Sequence, residues 1–411
     1  MSTAAPPEVQ AAAIEQDNFL AVLRARWDAL KGGDVGSLPV LVGIVAITLF
    51  FTSKTSIFFT AVNFTNLIGQ MAGVTVIAVG VVFVLLIGEI DLSVAYVSGI
   101  ASVAVAEFQV AGSSHDFPGL VAIGLAIGIG ATIGVVQGSI IAFIGVPSFV
   151  VTLAGLLIAQ GVIINLLGTQ GVIGITDHQV IDVANYVLTK NTGWIVAIVF
   201  TALLALASFG TYVNRRRAGL PTGSIIVPVA RVVFYGGLAF LAVAVCNHSR
   251  GVPLVGLIVL FVVVLFSYIA GRTTFGRHVY AVGGNAEAAR RAGIHVDRIK
   301  IQVFAICSFM AAVGGLVLAS RLRSVDTNAG GGSILLYSIA AAVIGGTSLF
   351  GGVGHIKSAI LGALVIASID NGLGLLGLGS GEKFVITGGV LLLAVTVDSL
   401  SRRRLAQTGR A

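Results

Sequence analysis

The stretch GRTTFGRHVYAVGGNAEAARRAGIHVDRIK, residues 271 to 300, holds six of the chain's 24 Lys and Arg residues, two acids and two histidines. It does so in a sequence that is 56% hydrophobic and only 10% charged. These residue types are suited to docking. Within the stretch, NAEAARRAGI sets Ala286, Ala288, Ala289, Ala292 and Gly293 among Glu287, Arg290 and Arg291, all compatible with a short helix, and puts Asn285 where an N-cap belongs. An amphipathic helix with small residues on one face and charges at the rim suits a groove on another protein. A solvated basic loop held by anionic lipid is the competing reading. A second set of candidates is buried in apolar sequence: LLIGEIDLSV places Glu89 and Asp91 between two long hydrophobic runs, where an ionised carboxylate is costly unless paired or wetted. Asp91 reads either as the cap of a helix starting at Leu92 or, with Glu89 and Ser93, as a polar lining for a hydroxyl-bearing solute. Glu107, Asp370 and Asn371 fall late in their apolar runs, where a solute would enter or where a side chain simply reaches the interface. Gln137, Gln160 and Asn165 read first as hydrogen bonds between packed helices. Asp398 reads as a local partner of Arg402, Arg403 and Arg404.

No constellation for catalysis emerges. The six histidines form no His-x-x-x-His pair, which removes the usual zinc spacing. Cys246 and Cys307 both sit in apolar runs and read as small hydrophobes, free of redox or metal duty. GLGLLG at 372–377 matches a dinucleotide pattern but opens no strand-turn-helix unit. GGVGHIKS at 351–358 lacks the spacing of a phosphate loop, so no ATP site is expected in this chain. Neither a cofactor nor a metal is expected.

The elements that must position these residues are set by the solvent. A mean hydropathy of +1.03 across 411 residues leaves too little polar sequence to cover a water-soluble surface. Apolar stretches fall near 38–52, 67–88, 92–111, 118–144, 149–167, 193–211, 226–246, 253–270, 299–320, 334–350, 356–378 and 384–400. The expected fold is an all-α, polytopic membrane protein of about twelve transmembrane helices, with a tail over 1–37, a transmembrane body over 38–400 and a tail over 401–411. Alternating sides from a cytoplasmic N-terminus puts 18 basic residues inside and six outside, the latter being Lys54, Lys190, Arg250, Arg321, Arg323 and Lys383. The net charge of +7 then reflects topology, and no nucleic-acid role is expected. The 271–300 stretch becomes a cytoplasmic loop, and 168–192 the longest outer one. Many of the 54 glycines recur inside apolar runs, which points to helices packed backbone to backbone.

Five segments in order, GEIDLSV at 88–94, VPSFVVTLAG at 146–155, TTFGRHVYAVGGNAEAARRAGI at 273–294, VIGGTSLFGGVG at 343–354 and ASIDNGLGLLG at 367–377, resemble the membrane permeases of bacterial monosaccharide ABC importers. The resemblance runs from about residue 40 to 400 and is strongest to the D-xylose branch, including an extra hydrophobic pair at 226–270 that ribose-type relatives lack. It implies a multi-pass subunit of the bacterial inner membrane that works as a homodimer and hydrolyses nothing itself. A cytoplasmic ATPase using ATP and Mg would drive it, and an extracytoplasmic binding protein would deliver sugar. It further implies that the region from Glu287 to Gly293 engages the ATPase. The coupling surface expected on this basis comprises Gly276, Arg277, Gly284, Asn285, Glu287, Ala288, Arg290, Arg291 and Gly293. Glu89, Asp91, Ser93, Asp370 and Asn371 are the expected path residues. An ion-coupled secondary transporter, or an importer permease for ribose, galactose or an autoinducer, remains the alternative.

Overall fold

A computed structural model describes residues 38–110, 116–220 and 224–407; the expected tail at 1–37 lies outside these residues. Helices α1 (Leu38–Lys54), α2 (Ala61–Leu86), α3 (Val94–Glu107), α4 (Gly119–Ser139, prolonged by a π-turn to Ile144) and α5 (Ser148–Leu167) come first. Strand β1 (Val172–Gly174), α6 (His178–Asn185), α7 (Lys190–Arg217), α8 (Ile226–His248) and α9 (Leu254–Arg272) follow. Then come α10 (Thr274–Gly284), α11 (Ala286–Arg291), α12 (Val296–Leu322), β2 (Ser324–Asp326), α13 (Ile334–Ile344), α14 (Ser358–Leu375) and α15 (Ser380–Gln407). The segment from 401 continues α15 as far as Gln407, where the sequence suggested a separate tail.

Two compact units emerge. One is the pair α7 and α8, closed by Leu188 N donating to Val252 O at 2.9 Å and by the Trp194 and Phe240 rings stacked with centroids 6.1 Å apart. The larger unit spans 37–186 and 253–400. The sequence singled out 226–270 as a pair, but the structure joins its first half to α7 and packs its second half, α9, against α2. Val255, Val259, Val262, Val263 and Phe266 put α9 in the main core of the larger unit.

In the larger unit α12 is the central helix, packed against α2, α3 and α4. What allows this is a stripe on α4: added Cβ atoms at Gly130, Gly134 and Gly138 would lie 2.5 Å from Ala312 Cβ, 2.5 Å from Phe304 O and 2.9 Å from Ile301 Cα. Without side chains the two backbones approach closely, the small-xxx-small packing that replaces hydrophobic driving force in lipid. Residues Val76 to Leu86 of α2 are buried on every face, whereas α4 and α5 turn large apolar side chains such as Val136, Leu157 and Ile158 outward. A helix apolar all round is an interior one, and an exposed apolar face in such a protein meets lipid.

Among the described residues eight helices are long and apolar enough to cross a membrane. By contrast α3 has 14 residues and α13 has 11, which at 1.5 Å per residue gives about 21 and 16 Å against the ~30 Å of a bilayer core. Each adjoins an irregular segment, 87–93 before α3 and 345–357 after α13. Backbone of this kind at membrane depth must have its polar groups satisfied by protein. It is: Glu89 N donates to Val84 O at 3.1 Å, Gly352 N to Leu86 O at 2.9 Å and Ser348 N to Val353 O at 2.8 Å. At the opposite end β1 and β2 pair antiparallel with Ile173 opposite Val325. There Asn185 Nδ2 donates to Ser320 O at 2.7 Å, tying α6 to the end of α12.

Candidate functional site

The two irregular segments and α10–α11 meet at one end of the larger unit. Thr273 starts α10 by accepting from Gly276 N at 3.2 Å. Phe275, Val279 and Val282, spaced four and three apart, form its inward face: Val279 and Val282 are buried, and the Phe275 ring stacks on Phe83 with centroids 6.2 Å apart. Gly276 is buried because a Cβ there would collide with the Ala270 carbonyl, so this glycine serves the fold-back of α10 on α9. Asn285 caps α11 as expected, its Oδ1 accepting from Ala288 N at 2.9 Å. The helix stops at Gly293, with φ +85°, where Gly293 N donates to Arg290 O and Ile294 N to Ala289 O, each at 3.0 Å. That left-handed C-terminal turn favours glycine. Of the coupling residues expected from sequence, Arg277, Gly284, Asn285, Glu287, Ala288, Arg290, Arg291 and Gly293 are all exposed. Glu287 bridges Arg290 at 3.4 Å and Arg291 at 3.1 Å, and Arg290 reaches Asp297 at 3.7 Å.

Beneath this surface α10 is keyed to both irregular segments. A Cβ on Gly283 would strike the Leu86 carbonyl and come within 2.7 Å of Gly352 N. The Tyr280 hydroxyl donates to Gly354 O at 2.7 Å. Burial pushes the Tyr280 phenol up, which keeps the donated proton in place. Glu89 pairs with Lys300 of α12, so its charge is compensated by a residue 211 positions away that sequence reasoning did not connect.

Asp91 is buried just beyond. Its Oδ1 accepts from Ser93 N at 2.9 Å and from Ser93 Oγ at 2.7 Å, and Ser93 Oγ lies 3.0 Å from Gln137 Oε1 on α4. Helix α3 begins at Val94, so Asp91 anchors the turn ahead of the helix, where the sequence suggested a cap for a helix from Leu92. The cause is Gly88, whose φ of +75° ends α2 in a tight turn and delays the next helix. Among the described residues no nitrogen or oxygen donor reaches Asp91 Oδ2, and the Cys307 thiol faces the carboxyl. Gln137 thus ties α4 to Ser93, the residue just before α3, whereas Asn165 is exposed at the end of α5. The Asp398 side chain lies outside the described residues.

Near the opposite end of the unit a cavity of about 320 Å³ opens among α2, α12, α13, α14 and α15. Its polar lining is Gln70, Arg321, Tyr337, Asp370, Asn371 and Lys383; Val74, Ile366, Ala367 and Leu375 supply apolar wall. Asp370 Oδ1 lies 3.6 Å from Lys383 Nζ. Asn371 faces another way in role: it exchanges amide hydrogen bonds with Asn63 at 2.9 and 3.1 Å and donates to Gln70 Oε1 at 3.1 Å. Asp370 and Asn371, adjacent in sequence, are brought to the cavity together, while Glu89, Asp91 and Ser93 belong to the other end. Arg321, Tyr337, Lys383 and Gln70 were missed, because a basic residue at a helix end reads as an interface anchor until a carboxylate is found facing it.

A many-helix membrane body with broken helices at depth, a docked amphipathic element at one end and a polar cavity at the other defines a transport permease. The chain belongs to the family described as branched-chain amino acid transport system / permease component, which matches residues 63–396. It is 35% identical over 98% of its length to the whole of the xylose transport system permease protein XylH of Escherichia coli (strain K12). The corresponding protein of Haemophilus influenzae is 34% identical over 92% of this chain and 99% of the relative. The ribose import permease protein RbsC of Escherichia coli (strain K12) is 32% identical over 87% of this chain and 92% of the relative. No solved structure gives a significant match.

Proposed function

We propose that this chain is the membrane subunit of an ATP-binding-cassette importer that carries a monosaccharide, D-xylose or a related pentose, across the bacterial inner membrane. The observation that carries the proposal is the full-length similarity to the xylose permease, with the ribose permease matched over 87% of this chain. Twelve crossings with both termini in the cytoplasm fit the 18-to-6 basic asymmetry. In the larger unit Arg272, Arg277, Arg290, Arg291, Arg298, Lys300 and Lys357 gather at the α10–α11 end, which this reading makes cytoplasmic. Two copies would enclose the sugar path. A separate ATPase, using ATP and Mg, would dock on α10–α11, a binding protein would deliver sugar at the β1–β2 end, and lipid would cover the apolar flanks.

The contacts support a coupling route. A push on α10 reaches the 87–93 segment through Gly283 and Leu86, and the 345–357 segment through Gly352 and the Tyr280 hydroxyl. The deciding experiment is D-xylose uptake into proteoliposomes holding the permease, its ATPase and its binding protein. Uptake that requires ATP and survives an uncoupler is expected. Uptake that proceeds without ATP and collapses with the uncoupler would make the chain an ion-coupled transporter, in which the buried Asp91 carboxyl would become the coupling candidate.

A further inference from the structure

We infer that the cavity lined by Gln70, Arg321, Tyr337, Asp370 and Lys383 is a binding site for one monosaccharide on its way from the outer face, an inference that rests on the sugar-permease reading above. At about 320 Å³ it lies at the small end of ligand pockets, which run from roughly 300 to 1,000 Å³. One pentose ring with some water fits this space. The lining has the mixed character a sugar needs. Asp370 accepts, Arg321 and Lys383 donate, Tyr337 does both, and Val74, Ile366 and Ala367 offer an apolar wall to the C–H face of a ring. Charge inside the site is partly compensated: Asp370 contacts Lys383 at 3.6 Å and faces Arg321 across the cavity, one carboxylate between two cations. A hydroxyl-rich neutral ligand can insert between such groups and accept and donate at once.

Asn371 has a different part. Its reciprocal amide pair with Asn63 clips α14 to α2, and its bond to Gln70 Oε1 sets the direction of the Gln70 amide. It is a positioning residue, and Asp370 is the group that touches sugar. Sugar arriving at Asp370 competes with Lys383, which sits in α15, so occupancy of the cavity loosens the α14–α15 contact at this end.

The test uses the complete transporter in proteoliposomes and compares initial uptake of D-xylose and D-ribose for the parent, Asp370→Asn, Arg321→Gln, Tyr337→Phe and Ala367→Phe, in samples with matched insertion and thermal stability. At least tenfold lower D-xylose uptake is expected for Asp370→Asn and Ala367→Phe. Tyr337→Phe, the mildest change, is expected to shift the xylose-to-ribose ratio by fivefold or more, which a merely loosened fold would not do. If Asp370→Asn fails to insert, Tyr337→Phe decides alone. A parent that transports D-xylose, with all variants within twofold in rate and ratio, would overturn the cavity assignment while leaving the permease reading intact. Competition by D-xylonate exceeding that by D-xylose would overturn it in favour of an anion site. A parent that transports neither sugar would overturn the pentose assignment on which this inference rests.

Discussion

Single residues in this protein divide into those whose role lies in the local sequence and those whose role is a distant partner. Asn285 as a cap follows from its neighbours, and the structure has it. Asp91 was legible as a cap near a helix start but not as the anchor of Ser93, because the turn geometry depends on the left-handed Gly88 three residues earlier. Glu89 was legible only as a costly buried charge; Lys300, which offsets it, comes from a helix brought near by folding. The same logic gives an expected outcome at Asp91. Asp91→Asn keeps an acceptor for Ser93 N and Ser93 Oγ and should stay within about 1 kcal/mol of the parent, whereas Asp91→Ala strands a buried N–H and should cost about 1–3 kcal/mol. Thermal unfolding in detergent measures both. A parental melting temperature for Asp91→Ala would show that the turn does not depend on the carboxylate.

Elements are where glycine content becomes geometry. Its abundance in apolar sequence pointed to close packing, but which glycines face a neighbour cannot be read from a run such as GLVAIGLAIGIGATIGVVQGS, where glycine occurs on several faces. The α4–α12 contact picks out Gly130, Gly134 and Gly138, while Gly124 and Gly128 on the same helix meet nothing within 4 Å. Gly134→Ala should therefore force α12 away and cost about 1–3 kcal/mol, as overpacked cores do. Gly128→Ala should be neutral or stabilise by up to about 1 kcal/mol through helix propensity. Equal melting temperatures for the two variants would contradict the packing described here. The short helices α3 and α13 were less legible still. The 345–357 neighbour is rich in glycine like the helices themselves, the 87–93 neighbour is marked only by Glu89 and Asp91, and the hydrogen bonds among Leu86, Gly352, Ser348 and Val353 that hold such backbone at depth join residues far apart in sequence.

For the whole molecule, the proposed docking of an ATPase on α11 predicts that folding and partner communication separate at that surface. Glu287 is exposed, and its pairs with Arg290 and Arg291 are solvent-screened contacts of small net worth. Glu287→Arg should thus change stability by no more than about 0.5 kcal/mol. Gly293→Trp would not separate the two effects, since φ of +85° strains any L side chain and the end of α11 would change with the contact. At a docked surface, by contrast, reversing the Glu287 charge leaves a partner's basic or donor group opposed by like charge, a penalty that specific interfaces use to reject wrong partners. Co-purification of the ATPase and sugar-stimulated ATP hydrolysis should both fall at least tenfold in Glu287→Arg membranes whose permease content and thermal stability match the parent. Parental values of both would mean that α11 is not the principal contact, and the exposed arginines at this end would then be read as a patch for anionic lipid, each basic residue contributing about 1 kcal/mol at the membrane surface.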